Sequence, residues 1–453
     1  MKKFISIFHI LITFLSSAQV VQFYDDKSKE NVNYTVTTIN AVGMPVKDSD
    51  VDGIFFSKKG STYYKRVTPD NRINVLWYGN NSDAINKAIK ASIHYFGTQA
   101  IQIAEVYMPA AIYDIDKTIE IKSVKGFKLT GAGTSTTLRL RNGVNINDMI
   151  LFNGVAYGYL GNFEVVGETG RVKNVIRSVW GDGISNPPAG SLRSSTKNKF
   201  ENIHIHGETK FDTGVFLDGS NQNDETELIN ITIAGNINDA DKTLYNNAFK
   251  IGNGTFGNNL SHTFIDCQAN QVRNAFYFNN VGGVVIGRGA QNCNTYILRT
   301  GSNETLSVDG VRLEGIGMIY NHNSIHYAGD NITLKNIWYS GLGRGLRGAP
   351  ADGNIITHTG GTMNIIGCRF LDPLPGTNFK ITSANSARGS NLQITSNLNI
   401  FGLNFQGSYR GVEDLINAGA PTSVNAIGIL VLNKERSGID SFPPFYKKYA
   451  VKP

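Results

Sequence analysis

Apolar residues recur along this chain in two rhythms. Between Ser82 and Ile93 the apolar positions Ala84, Ile85, Ala88, Ile89 and Ile93 fall three or four residues apart, the spacing of one helix face. Ser82 is the expected N-cap, and Asp83 in the first turn complements the helix dipole. Elsewhere the rhythm is alternation, the pattern of a strand with one buried face. It shows in VNYTVTTI at 32–39 and in GIFFSKKGSTYYKRV at 53–67, which reads as a hairpin turning at Lys58-Lys59-Gly60. VYMPAAIYDI, TIEIKSV and GFKLTGAGTSTTLRL follow the helix as three further strand-like runs.

From residue 202 onward a short alternating run repeats: NIHIHG at 202, NITIAG at 230, HTFIDC at 262, GVVIGR at 283, TLSVDG at 305, NITLKN at 331 and MNIIGC at 363. A second run follows most of these: GVFLDG, AFKIGN, AFYFNN, TYILRT and MIYNHN. Repeats of roughly 20–50 residues mark a solenoid, in which each coil buries its inward face only by stacking on its neighbours. The reading is therefore all-β, with residues 19–72 as a small N-terminal β unit and 73–410 as the solenoid. Residues 411–453 hold a last strand at 429–434 and an irregular tail. Ile203, Ile205, Ile231, Ile233 and Ile265 should face inward on the first run, and Val215, Leu217, Phe249, Ile251, Phe276 and Phe278 on the second. The first run's outward ladder is expected to be His206, Ala234, Asp266, Gly287, Asp309, Lys335 and Gly367. Two loops rich in Gly and basic residues, at 181–199 and 340–354, interrupt the pattern.

Composition agrees with this picture. Among 453 residues there are 49 Gly and 49 Asn, both tolerant of the positive φ that sharp corners need. At 41% apolar the chain is too hydrophobic to be disordered. Lys2 and Lys3, an apolar run from Phe4 to Leu15 and small residues at 16–18 make an export signal, with cleavage after Ala18. The expected location is exported: periplasmic, cell-surface or extracellular. Removing residues 1–18 lowers the net charge from +7 to +5, and no later stretch suits membrane insertion. Cys267, Cys293 and Cys368 lack any CxxC spacing and read as buried core residues.

The segments INVLWYGNNSDAINKAIKAS, VYMPAAIYDIDKTIEI and LTGAGTSTTLRL resemble the opening of the pectate-lyase-like superfamily. The resemblance is to its rhamnogalacturonase, epimerase and tailspike-type members. It implies a right-handed parallel β-helix solenoid whose first coil is closed by a capping helix. The acidic stretch common before that helix is shortened here to Asn80-Asn81-Ser82-Asp83. The resemblance also implies a carbohydrate groove along the second run. There Lys250, Arg273 and Asp212 are the candidate catalytic residues, and Tyr277, Arg299 and Asp218 the candidate substrate-binding residues. Arg and Lys neutralise uronate carboxylates, and a base must take the α-proton of a uronic acid for β-elimination.

The family's enzyme signatures are absent. Only Asp212-Thr213-Gly214 resembles the Asn-Thr-Asp element, and Asn247 and Asn274 stand where further acids would be expected. No acid cluster suits Ca²⁺, and strand-spaced His204 and His206 read as surface residues. No metal or cofactor is expected, and no nucleic-acid or nucleotide motif is present. The leading expectation is an exported protein that engages acidic polysaccharide, with β-elimination as the reaction. The alternative is a non-catalytic carbohydrate-binding or fibre-like protein, for which a homotrimer fits. A sugar epimerase is a third reading.

Overall fold

The computed structural model describes residues 20–371 apart from 26–29, 41–43, 69, 71, 97–103, 181–194, 220–222, 255–259, 301–303, 315–317, 323–330, 341–353 and 360; beyond 371 it describes strand backbone only. The export signal and most of both expected loops lie outside these residues.

Two parallel sheets dominate. In the 13-stranded sheet the strands Ile119–Lys125, Asn145–Ala156, Arg171–Val179, Lys210–Leu217, Asn247–Ile251, Asn274–Asn279 and Thr295–Thr300 pair one after another in chain order, every pair parallel. A 23-stranded sheet runs alongside it. Sequence order matching spatial order, coil after coil, defines a solenoid. The chain is a right-handed parallel β-helix with an N-terminal capping helix and a small N-terminal β unit, the architecture that the repeats and the superfamily resemblance led one to expect. The stacking continues past 410, where Ile416–Gly419 and Ser423–Ile427 pair with Lys380–Ala384 and Ser396–Phe401.

The N-terminal unit is a four-stranded antiparallel sheet with Val20–Asp25 and Phe56–Lys59 at its edges. Its hairpin turns at Gly60 with φ +61°, as the Lys-Lys-Gly sequence suggested. Val46, Phe55 and Phe56 join the same apolar cluster as Ile73, Val75 and the helix face. The helix spans Ser82–Phe96. Its cap is Asn81, whose Oδ1 accepts from the Ala84 N–H at 2.9 Å, and not the expected Ser82. Ser82 instead donates to Asp116 at 2.5 Å, tying the helix to the next coil.

Inside the solenoid the two sheets meet through aromatic contacts. Phe249 and Phe276 stack at 4.8 Å, and Phe264 from the opposite sheet packs edge-on to both. All six residues expected to face inward on the second run are buried. On the first run Ile203, Ile205, Ile231 and Ile233 are buried, but Ile265 is not; Phe264 takes the inward place.

The reason is a bend. The long strand Glu227–Ala234 pairs with two short strands of the next coil, Thr263–Ile265 and Gln268–Asn270. HTFIDC therefore continues the first half of NITIAG's strand, not the second. The expected outward ladder mixed two registers. Asp266, Gly287 and Gly367 belong to a corner, together with Gly310 and Asn336, and all five have positive φ. Asn162, Asn202 and Asn230 occupy this corner on earlier coils, also with positive φ. Their side chains form a ladder: Asn202 donates to Asn162 at 3.0 Å and Asn230 to Asn202 at 2.8 Å.

The three cysteines are free and buried, as expected. Burial pushes the thiols of Cys267 and Cys293 up to about 12 and that of Cys368 up to about 11.

Candidate functional site

Strand register places one column of side chains on the outer face of the 13-stranded sheet. Leu151, Arg177, Phe216, Lys250, Tyr277 and Leu298 follow one another on adjacent coils, ~4.8 Å apart. Each lies next to a buried inward residue, such as Ile176, Val215, Phe249 and Phe276, so alternation turns the column outward.

Lys250 is half-buried in this column. Its Nζ lies 4.6 Å from the centre of the Phe216 ring and 6.0 Å from that of Tyr277, within cation–π range of both. Burial lowers its pKa from the ordinary lysine value. Asp212 and Asp218 pull it back up, while Lys173 and Arg177 push it further down. Burial and like charge thus leave more of this amine in its neutral, proton-accepting form at a given pH than in a surface lysine. Tyr277 lies on the next coil in direct register with Lys250, as expected, and its hydroxyl oxygen accepts from Thr300 at 3.2 Å.

A second column runs through the strand starts and, on later coils, the turns just before the strands. Register extends Lys173 to Asp212, Asn246 and Arg273 on successive coils. Asp212 accepts from the side chains of Asn246 and, at 3.1 Å, Thr213. Arg273 lies in the turn before Asn274–Asn279, half-buried, and its guanidinium has no hydrogen-bond or ion-pair partner among the described residues. Four residues separate the two columns, at most ~13 Å of extended chain. Asp212 acts on Lys250 electrostatically, raising its pKa against the effect of burial. Asp212 is thus among the charges that act on Lys250, while Arg273 stands in the flanking column, one coil beyond Asn246.

Between the columns runs a polar ladder. Asn247 donates to Thr213 at 3.4 Å and Asn274 to Asn247 at 3.1 Å. Amides therefore stack on one another where a three-carboxylate hydrolase site would need acids.

Two expected substrate-binding residues stand elsewhere. Arg299 pairs in register with Phe278, an inward position, and is completely buried. Its guanidinium donates to the backbone carbonyls of Glu304 and Asn331. The correction follows from parity: Leu298, not Arg299, continues the outward column. Asp218 is on the site's face but is buried, accepting from Arg177 Nη2 at 2.6 Å and from Asn253 at 3.0 Å.

Arg177 and Asp148 were missed from the sequence. Arg177 sits between Asp218 and Asp148, 3.4 Å from the latter, and Asn174 donates to Asp148 at 2.8 Å. Arg177 lies in the strand-like run RVKNVIRSV at 171–179, which carries no pattern that pairs it with Asp148. Because one guanidinium engages both carboxylates, neither is presented to a ligand as a free acid.

No protein-family model matches this chain, and no curated protein does. Among solved structures it is similar to the A-module of the mannuronan C-5 epimerase AlgE4 from Azotobacter vinelandii. Identity is 13%, coverage is 84% of this chain and 99% of that one, and the TM-score is 0.40. It is also similar to the N-terminal fragment of bacteriophage Phi29 gene product 12, at 12% identity, 80% and 69% coverage and a TM-score of 0.45. For the catalytic domain of GH87 alpha-1,3-glucanase the values are 14% identity, 94% and 87% coverage and a TM-score of 0.44.

Proposed function

We propose that this protein is exported and binds an acidic polysaccharide along the outer column of the 13-stranded sheet, with Lys250 at the centre of the site. The observation that carries this reading is the half-buried Lys250 amine held between the Phe216 and Tyr277 rings with a lowered pKa. The half-buried Tyr277 ring suits the apolar face of a sugar ring, and the cations Lys173 and Arg273 suit uronate carboxylates. The basic start and short apolar run of residues 2–15 support export to the periplasm, cell surface or medium.

The reaction that these groups suit is β-elimination. The neutral Lys250 amine takes the proton α to the uronate carboxylate and becomes an ammonium. The released electron pair forms the ring double bond as the bond to the glycosidic oxygen breaks, and that oxygen takes a proton from water. Lys173 or Arg273 neutralises the carboxylate while the negative charge develops.

A second reading rests on a specific observation. The Asp148–Arg177–Asp218 network commits the site's buried carboxylates to each other's partner. That favours a non-catalytic binder over a hydrolase. Incubating the protein with a panel of uronic-acid polymers and neutral glucans separates the readings. Retention on an acidic polymer with formation of unsaturated ends, both lost in Lys250→Met, is the expected result. Binding without unsaturated product selects the binder. If no acidic polymer is bound, the reading is wrong.

A further inference from the structure

The 23-stranded sheet carries on its outer face a cluster unrelated to the Lys250 column. Glu164 lies on the strand Tyr159–Gly167 and pairs in direct register with His204 on Lys199–Ile205. Glu164 is flanked by buried Phe163 and Val165, and His204 by buried Ile203 and Ile205. Alternation therefore projects both side chains outward, side by side on adjacent coils. His206 follows Ile205 and stays in the ladder, its N–H donating to the Val165 carbonyl at 2.9 Å. Two residues beyond His204, it emerges on the same face.

The three side chains converge. The His206 Nε2 is 3.0 Å from the Glu164 Oε2, and the two imidazole rings lie 4.0 Å apart at 30°. One nitrogen from each histidine and one Glu164 oxygen all lie within 4.8 Å of one another, and each residue is half-buried. The other Glu164 oxygen accepts from the Thr137 hydroxyl at 2.8 Å, from the coil below. An outer partner of this kind orients a ligating carboxylate.

We propose that Glu164, His204 and His206 form a binding site for a divalent transition metal, with Zn²⁺ as the ion it fits best. Two imidazoles and one carboxylate are a borderline donor set; an all-oxygen ion such as Ca²⁺ or Mg²⁺ would find one oxygen ligand. Tetrahedral zinc with bonds of ~2.0–2.1 Å needs ligand atoms ~3.3 Å apart. Rotamer adjustment of half-buried side chains supplies the remaining contraction. Three protein ligands leave the fourth position facing solvent, open to water or to an anionic or hydroxyl ligand. The metal would also clip two adjacent coils together.

The test uses the full chain, stripped by chelator and dialysed against Zn²⁺ alone. The expected result is one equivalent of zinc per chain and a higher thermal unfolding midpoint. His204→Ala and His206→Ala should each lose the zinc while keeping the far-ultraviolet circular dichroism of the parent. Thr137→Val, which touches no metal, should weaken binding by roughly 10-fold or more. Two outcomes overturn the proposal. One is a chain that retains no zinc and shows no zinc-dependent shift, which leaves an ordinary His206–Glu164 hydrogen bond. The other is equal zinc retention by the parent and the His204→Ala/His206→Ala double variant.

Discussion

Single residues here are governed by what burial does to charge. Lys250 is the functional instance: its lowered pKa means that the neutral amine is populated at lower pH than in an ordinary lysine. Any eliminase activity should therefore rise with pH and level off below the usual lysine range. Lys250→Arg should retain binding but lose activity across that range, as measured by pH–rate profiles of product formation. His262 is the structural instance. It is completely buried, it accepts from the Thr226 N–H at 3.3 Å, and burial drives its pKa down to about 4 from 6.5. Between those values the unfolded chain holds a proton that the folded one excludes. The stability is thus fully present above pH 6.5 and is lost as pH falls toward about 4. The loss reaches about 3 kcal/mol, and urea unfolding of the parent and of His262→Gln should show that slope only in the parent. Arg177→Leu would leave Asp148 and Asp218 buried without their shared cation. Removing one member of a buried pair costs about 3–5 kcal/mol, again readable by urea unfolding. Neither Arg177 nor Asp148 stood out in the sequence, because an ion pair across coils leaves no local pattern. Arg299 misled for a related reason: a long cation at an inward position reaches carbonyls at the coil's end, and only the register reveals its parity.

At the level of elements, strand alternation was legible and strand bending was not. Val215, Leu217, Phe249, Ile251, Phe276 and Phe278 face inward as their pattern dictates. The I-x-I frame, however, recurs on both halves of the bent strand, so equal-looking runs occupy different registers. Ile265 and the mixed outward ladder follow from that ambiguity. The corner between the halves is set by backbone conformation. Asn202 sits there at φ +54° and hydrogen-bonds to Asn162 below and Asn230 above. Asn202→Ala keeps a Cβ in the left-handed region, a strain of about 1–2 kcal/mol, but deletes both ladder contacts that offset it. Asn202→Gly keeps the conformation free of that strain. Thermal unfolding should show the alanine variant as the less stable of the two.

For the whole molecule, the repeat length and the Gly and Asn content were enough to reach a solenoid. The N-terminal unit remained legible only as a hairpin and a strand, because its packing on the helix depends on Phe55 and Phe56 meeting Ile73 and Val75 across the chain. Its edge strand Val20–Asp25 exposes Val20 and Tyr24 at 59% and 58%. An exposed edge is a template for another chain. On the homotrimer reading, light scattering should give three times the chain mass, and a Val20→Lys/Tyr24→Lys variant should fall to one. A monomeric parent removes that reading.

The sealed thiols carry a consequence of their own. Cys267 and Cys293 lie on neighbouring coils and Cys368 several coils further along, each closed inside the stack with its thiol held protonated. None can be alkylated until its coil opens, so pulse labelling reads the opening free energy at three heights of one solenoid. The order in which they react tells whether the stack unzips from an end or melts as a unit.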